Sequence, residues 1–195
     1  MSHDLGELIL VVGPSGAGKD SLLAGAREIF ADDPDVYFPR RIVTRPRDAG
    51  GEDHIAMDPD AFAEIRAAGG FILHWHAHGL DYGIPREVQS MRREGGTVLV
   101  NVSRSVITEA WRHLAPVTVI EVTAPKEVLA ERLRQRNRES EADIRRRLAR
   151  PVLALPERVR VVCIDNGGRL ETALSQFAEV IRQKNRQAAM AAENG

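Results

Sequence analysis

The stretch Gly13-Pro14-Ser15-Gly16-Ala17-Gly18-Lys19-Asp20-Ser21 constrains this chain more than any other. Before it runs Leu8-Ile9-Leu10-Val11-Val12, an unbroken apolar segment that suits a strand buried on both faces. After it, Leu22, Leu23, Ala26, Ile29 and Phe30 recur at helical spacing. Strand, glycine-rich turn and helix in that order are the context a phosphate-binding loop requires. The glycines let the backbone turn tightly and point its N–H groups at an anion, and the helix start adds its positive dipole end. Lys19 brings a mobile full charge for the outer phosphates. All nine positions are expected to contact a nucleoside triphosphate.

One position departs from the usual pattern. The residue after the lysine is ordinarily Ser or Thr, whose hydroxyl binds Mg²⁺. Here it is Asp20, with Ser21 one place later. A carboxylate is also a hard oxygen ligand, so Asp20 can take the metal directly or hold a metal-bound water. The plainer alternative is that Asp20 caps the helix.

At 195 residues the chain can form one domain with inserts and bury a proper core. A net charge of −1 gives no global field for nucleic acid or a membrane surface, and neither is expected as a partner. The arginines are nevertheless clustered: Arg40, Arg41, Arg45 and Arg47, then a run from Arg132 to Arg150. Cys163 stands alone, which excludes a disulfide framework and a cysteine zinc site, and within Val161-Val162-Cys163-Ile164 it reads as a small buried hydrophobe. No leader-like or membrane-length apolar run is evident, and a reducing cytoplasmic setting is expected.

Along the chain, residues 36–44 read as short, basic and extended, and 45–51 as a loop. Asp58 to Ala68 has helical character, Phe71 to Ala77 alternates like a strand, Gly79 to Pro85 reads as turn, and Pro85 to Glu94 as helix. Core strands are expected at Thr97–Val102, Val117–Val122 and Val159–Ile164. Helices are expected at Ser105–Leu114, from Ala124-Pro125 to about Arg136, from about Ala142 to Leu155, and from Leu170 to about Arg186, beyond which the Ala-rich tail frays. Apolar strands alternating with helices predict an α/β fold, a parallel sheet flanked by helices. The chain divides into a core (1–39, 92–135, 151–195), an insert of about 40–91 for the acceptor, and a small arginine-rich lid of about 136–150.

Three further constellations bear on chemistry. Val43-Thr44-Arg45-Pro46-Arg47 places two arginines in a loop, where they can grip a phosphate or merely be solvated. Alternation along His74-Trp75-His76-Ala77-His78 puts three histidines on one strand face; with no cysteine nearby and Asp81 off the pattern, hydrogen bonding to a phosphorylated substrate through His76 and Tyr82 is preferred to zinc. The arginines between Arg132 and Arg147 suit a hinged lid that brings charge to a transferring phosphoryl group and excludes water. Arg136 and Arg147, with Lys19, are the expected catalytic residues; several neighbours are solvated helix surface.

Along nearly its whole length the chain resembles the guanylate kinase-like branch of P-loop nucleoside monophosphate kinases. Gly13–Lys19, Thr44-Arg45, Gly79 with Tyr82-Gly83, and the lid arginines occur in order at matching spacing. The positions that carry guanine-reading acids in guanylate kinases are Leu73 and Asn101 here; Ile84 replaces a serine or threonine, and the second substrate arginine, Arg47, lies one residue early. These departures, with Lys19-Asp20-Ser21, Glu52-Asp53-His54-Ile55-Ala56, Trp75-His76-Ala77-His78-Gly79-Leu80-Asp81-Tyr82-Gly83 and Val100-Asn101-Val102-Ser103-Arg104, resemble the ribose 1,5-bisphosphate phosphokinases of bacterial phosphonate catabolism. The resemblance implies ATP and Mg²⁺ as cofactors, a base-free phosphosugar as acceptor and 5-phosphoribosyl 1-diphosphate (PRPP) as product. It also implies acceptor contacts from Arg45, Arg47, Glu52, His54, His76, Tyr82 and Asn101, and a place for Asn166 near the adenine. A divergent guanylate kinase and a non-catalytic guanylate kinase-like interaction module are the competing readings.

Overall fold

The structure, a computed structural model, describes residues 5–46, 53–135, 141–148 and 153–193, the side chains of residues 143, 147 and 187–193 excepted. Its first sheet has five strands in the order β2 (Val36–Tyr37), β7 (Thr97–Asn101), β1 (Leu8–Val12), β8 (Val117–Thr123), β9 (Arg160–Asp165), every neighbouring pair parallel. β1 lies at the centre, with Leu10 opposite Val100 on one side and Val119 on the other. All five of its residues are fully buried, because both faces of the sheet are covered. On one face Leu8, Leu10 and Val12 pack with Ile107 and Ala110 of α4 (Ile107–His113). On the other, Ile9 and Val11 pack with Leu22 and Ala26 of α1 (Lys19–Ile29) and Phe177 and Ile181 of α7 (Leu170–Glu193).

A second sheet of four strands, in the order β4 (His54–Ala56), β3 (Arg41–Val43), β6 (Leu80–Pro85), β5 (Phe71–Ala77), is built from the segment between α1 and β7. Here Gly79–Pro85 departs from the expected turn. Only His78 and Gly79 turn, with φ of 56° and 74°, the pair of positive φ values a two-residue hairpin needs. Leu80–Pro85 then pairs antiparallel with β5, Trp75 opposite Tyr82 and His76 opposite Asp81. The glycines and aspartate that suggested a turn serve the sheet instead: a Cβ on Gly83 would come within 2.6 Å of the Phe71 ring. Phe71 in turn stacks on Phe62 of α2 (Pro59–Ala67) at 4.6 Å.

Other elements differ in extent. The helix expected from Pro85 is α3, Val88–Arg93; the one expected at 105–114 begins as a 3-10 turn, Arg104–Val106; the one expected through Arg136 is α5, Lys126–Gln135. The helix expected to reach Leu155 is α6, Glu141–Leu148, and residues 153–156 are irregular. α7 continues through Glu193 rather than fraying after Gln187, since its alanines are strong helix formers. Cys163 is exposed, not buried: it sits on the edge strand β9 and alternates with the buried Ile164.

At the N-terminal ends of the parallel strands, Arg92 of α3 is fully buried. It donates to the carbonyls of Gly6 (2.9 Å), Leu114 (2.7 Å) and Pro116 (3.1 Å) and to Gln89 Oε1 (3.2 Å). Burial lowers its pKa to about 10, against the opposing pull of Glu7, so the side chain stays charged at neutral pH. Glu7 accepts from Thr118 Oγ1 at 2.5 Å and pairs with Lys184 Nζ at 3.5 Å. The glycine-rich loop lies at the other, C-terminal, end of the strands. Among the described residues no helix is long and apolar enough to cross a membrane.

Candidate active site

Between β1 and α1 the loop takes a shape that only its glycines allow. Gly13 has φ 148° and its absent Cβ would meet the Val122 carbonyl at 2.2 Å; Gly18 has φ 88° and a Cβ there would meet Asn166 Nδ2 at 2.2 Å. Lys19 Nζ folds back to donate to the carbonyls of Gly13 (2.8 Å) and Pro14 (3.1 Å). Gly18 is the N-cap of α1 and supplies no side-chain cap, an arrangement that suits an anion at the first-turn N–H groups. Pro14, Ser15, Gly16, Ala17 and Ser21 complete the loop and first turn, with Ser21 and Asp20 exposed.

Asn166, buried to 98%, braces the loop from the far side of β8. Its N–H donates to the Thr123 carbonyl at 2.8 Å and its Nδ2 to the Ala17 carbonyl at 2.7 Å. Arg132 of α5 donates to the Asn166 carbonyl (2.8 Å) and the Gly16 carbonyl (3.4 Å). Asn166 Oδ1 remains buried with no partner among the described residues.

Asp20 does not cap the helix. Its Oδ1 accepts a hydrogen bond from Asn101 Nδ2 at 2.9 Å, which joins the first turn of α1 to the end of β7. Asn101 thus faces the nucleotide loop as well as the second sheet, where its carbonyl accepts from Arg41 Nη1 at 3.0 Å. Leu73, at the other position where an acid was absent, is fully buried in the core.

Arg45 follows β3 and lines, with Thr44, Met57 and Asp58, a shallow cavity of ≈ 380 Å³. Its Nη2 donates to His54 Nδ1 at 3.3 Å, so His54 carries its proton on Nε2 and donates it to the Arg45 carbonyl, also at 3.3 Å. His54 is buried, which makes it a residue that orients Arg45 more than one that meets a ligand. Arg45 Nε is buried without a partner among the described residues. Thr44 Oγ1 accepts from the Asp81 N–H at 2.8 Å, and His76 Nδ1 lies 3.0 Å from Asp81 Oδ1 on the exposed side of the hairpin. His74 and His76 do share an outward face, while His78 lies in the turn. Among the described residues no three His, Cys, Asp or Glu side chains gather as a metal site. Arg47, Glu52 and Arg136 lie outside the described residues, as does the side chain of Arg147 on α6.

Residues given no role from the sequence also reach this end of the sheet. Arg104 pairs with Glu121, which sits on β8 opposite Val12, and donates to the Leu153 carbonyl at 3.2 Å. A carboxylate inside Val119-Ile120-Glu121-Val122 was the available signal, since such a group on a core strand needs a partner. Arg41, which donates to the Asn101 carbonyl, was visible only as one more arginine of a basic stretch.

The fold and this loop define a guanylate kinase-like P-loop kinase. The crystal structure of guanylate kinase from Anaplasma phagocytophilum superposes with a TM-score of 0.65 at 19% identity, covering 95% of this chain and 89% of that one. The family is set by nearer relatives. The ribose 1,5-bisphosphate phosphokinase PhnN of Rhodopseudomonas palustris is 48% identical over 177 residues, 91% of this chain and 89% of that protein. The protein of the same name from Ruegeria sp. is 46% identical over 178 residues, 91% and 92% of the two chains. A bifunctional ribose 1,5-bisphosphokinase-thymidine phosphorylase of Cupriavidus pinatubonensis is 44% identical over 177 residues, which make up 29% of its length. No family profile matches the chain. The chain belongs to the ribose 1,5-bisphosphate phosphokinase PhnN family.

Proposed function

We propose that this protein transfers the γ-phosphoryl group of ATP to a phosphate of ribose 1,5-bisphosphate, giving PRPP and ADP. An oxygen of the acceptor's 1-phosphate forms the new P–O bond, the β–γ bridging bond breaks, and the electron pair leaves with ADP. The protein supplies little covalent chemistry for such a transfer; its part is to position two anions and spread the charge.

In this reading the loop from Gly13 to Ser21 holds the triphosphate, and Lys19 exchanges its two carbonyl contacts for the β- and γ-phosphates. Asn166, whose buried Oδ1 has no partner among the described residues, lies by the adenine. The exposed carboxylate of Asp20, aimed by Asn101, suits a Mg²⁺ ion held directly or through water, and that ion supplies charge neutralisation at the outer phosphates. Arg45, whose Nε has no partner among the described residues, holds the acceptor's phosphate with Arg47; Glu52, His76 and Tyr82 meet the sugar. Arg136 and Arg147 act from the lid, residues of about 136–150, on the transferring group. The second sheet, within about 40–91, serves the acceptor.

The observation that carries the acceptor is the fate of positions 73 and 101. One side chain is in the core and the other is turned to Asp20, so neither presents an acid to a guanine. A site without polar base readers gains no selectivity for a base. Product identification after incubation with ATP, Mg²⁺ and ribose 1,5-bisphosphate tests the reading, with GMP run in parallel. PRPP formation is expected; faster turnover of GMP would mark a divergent guanylate kinase instead.

A further inference from the structure

P-loop enzymes ordinarily share the hold on Mg²⁺ between the hydroxyl after the loop lysine and an aspartate from elsewhere in the chain. This chain carries an acid where the hydroxyl belongs, and the residue bonded across to it is an amide. Asp20 lies in the first turn of α1 and is exposed. Asn101 ends β7, the strand beside β1, in register with Val11 just ahead of the glycine-rich loop. Its Nδ2 donates to Asp20 Oδ1 at 2.9 Å, and nothing among the described residues donates to Asp20 Oδ2.

Aspartate and asparagine have the same shape. A serine hydroxyl at position 20 facing an aspartate at position 101 would make the same kind of bond, with donor and acceptor interchanged. One negative charge and one hydrogen bond are kept either way; what differs is the element that carries the charge. Its place on the helix has a consequence. Asp20 follows Lys19 directly, and its carboxylate shares the anion-attracting end of α1 with any phosphate the loop cradles. Without a cation the two anions repel each other, whereas a hard divalent ion is attracted by both. A hydroxyl at position 20 would have no charge with which to oppose a metal-free triphosphate.

We propose that Asp20 and Asn101 are the metal-holding pair of a P-loop enzyme with its two members exchanged, and that the charge of Asp20 makes the loop select the Mg²⁺ complex of ATP over metal-free ATP. The inference rests on the loop's proposed role as the triphosphate site. Asn101 is the positioning residue of the pair, since its amide fixes the Asp20 carboxylate.

Calorimetry with the β,γ-imido analogue of ATP, in EDTA and in millimolar Mg²⁺, reads the selection as the ratio of the two dissociation constants, with no acceptor and no turnover. Asp20→Asn keeps an acceptor for the Asn101 amide and removes the charge. The ratio should fall at least about tenfold, within the usual range of coupling between two ligands. Asp20→Ser alone should behave likewise. Asp20→Ser combined with Asn101→Asp returns the acid to the strand, and its ratio should lie within about threefold of the parent's. Asn101→Asp alone sets two carboxylates against each other. Its melting temperature should drop below the parent's in EDTA and recover in Mg²⁺, a response that a merely structural bond would not show. A parent that binds the analogue in neither condition overturns the loop's role and this inference together. A parent that binds it equally well in both, or an Asp20→Asn ratio within about threefold of the parent's, overturns this inference alone. So does a paired exchange whose ratio stays at that of Asp20→Ser. Should the paired exchange fail to fold, Asn101→Asp decides: a melting temperature that Mg²⁺ raises no more than the parent's overturns the inference equally.

Discussion

The side-chain amide of Asn101 donates to the carboxylate of Asp20 across 2.9 Å, tying the end of β7 to the first turn of α1. The bond takes one lone-pair direction of a carboxylate that is otherwise exposed. Asp20→Ala should therefore raise the Mg²⁺ concentration for half-maximal rate while costing no more than the roughly 0.3–1 kcal/mol of a charge near a helix start. Asn101→Ala should move the Mg²⁺ requirement in the same direction, and the double variant should show less than the sum of the two effects, as expected of contacting residues. Mg²⁺ titrations of rate, set beside thermal melts, check this; a large drop in melting temperature with unchanged metal dependence would count against it.

Lys19 Nζ sits on the Gly13 and Pro14 carbonyls, within reach of any phosphate the loop cradles. Lys19→Ala should lower kcat about 10²–10³-fold, the usual loss when one preorganised electrostatic contact to developing charge is removed. Turnover within threefold of the parent would refute the loop's role.

Arg45 is held by His54 through both ring nitrogens. Arg45→Ala should raise the acceptor's KM or lower kcat while ATP binding measured by calorimetry stays nearly unchanged, because on the proposed reading it alters only one of two anion sites. His54→Ala should give a weaker version of the same phenotype, since it loosens the arginine without removing it.

Asn166→Ala would leave the Ala17 carbonyl without its donor. A buried acceptor so orphaned costs about 1–3 kcal/mol, so a lower denaturation midpoint is expected together with weaker ATP binding. The acceptor's KM should not move, because Asn166 bonds Ala17, Thr123 and Arg132 and none of the residues proposed for the acceptor.

Much of the parallel sheet was legible in the sequence, because strands buried on both faces are continuous apolar runs and leave no ambiguity of period. β6 was not: Gly79, Asp81 and Gly83 look like turn residues, and only the close approach of the Phe71 ring explains why a strand keeps Gly83. The glycine-rich loop between β1 and α1 could be read from spacing, since its residues are consecutive. The bonds from Asn101 to Asp20 and from Arg132 to Asn166 join residues 81 and 34 positions apart, and no local pattern encodes them. Cys163 misled for a related reason: apolar neighbours suggest burial, but they do not reveal that the strand is an edge.

Arg92 and the Glu7–Lys184 pair fasten the chain at one end of the strands, and the glycine-rich loop opens at the other. The parallel sheet sets a fastening end apart from a working end. On the proposed reading, substitutions near Arg45 retune which small molecule is accepted without loosening the fastening. Selection, natural or in the laboratory, can act on the two ends as separable traits.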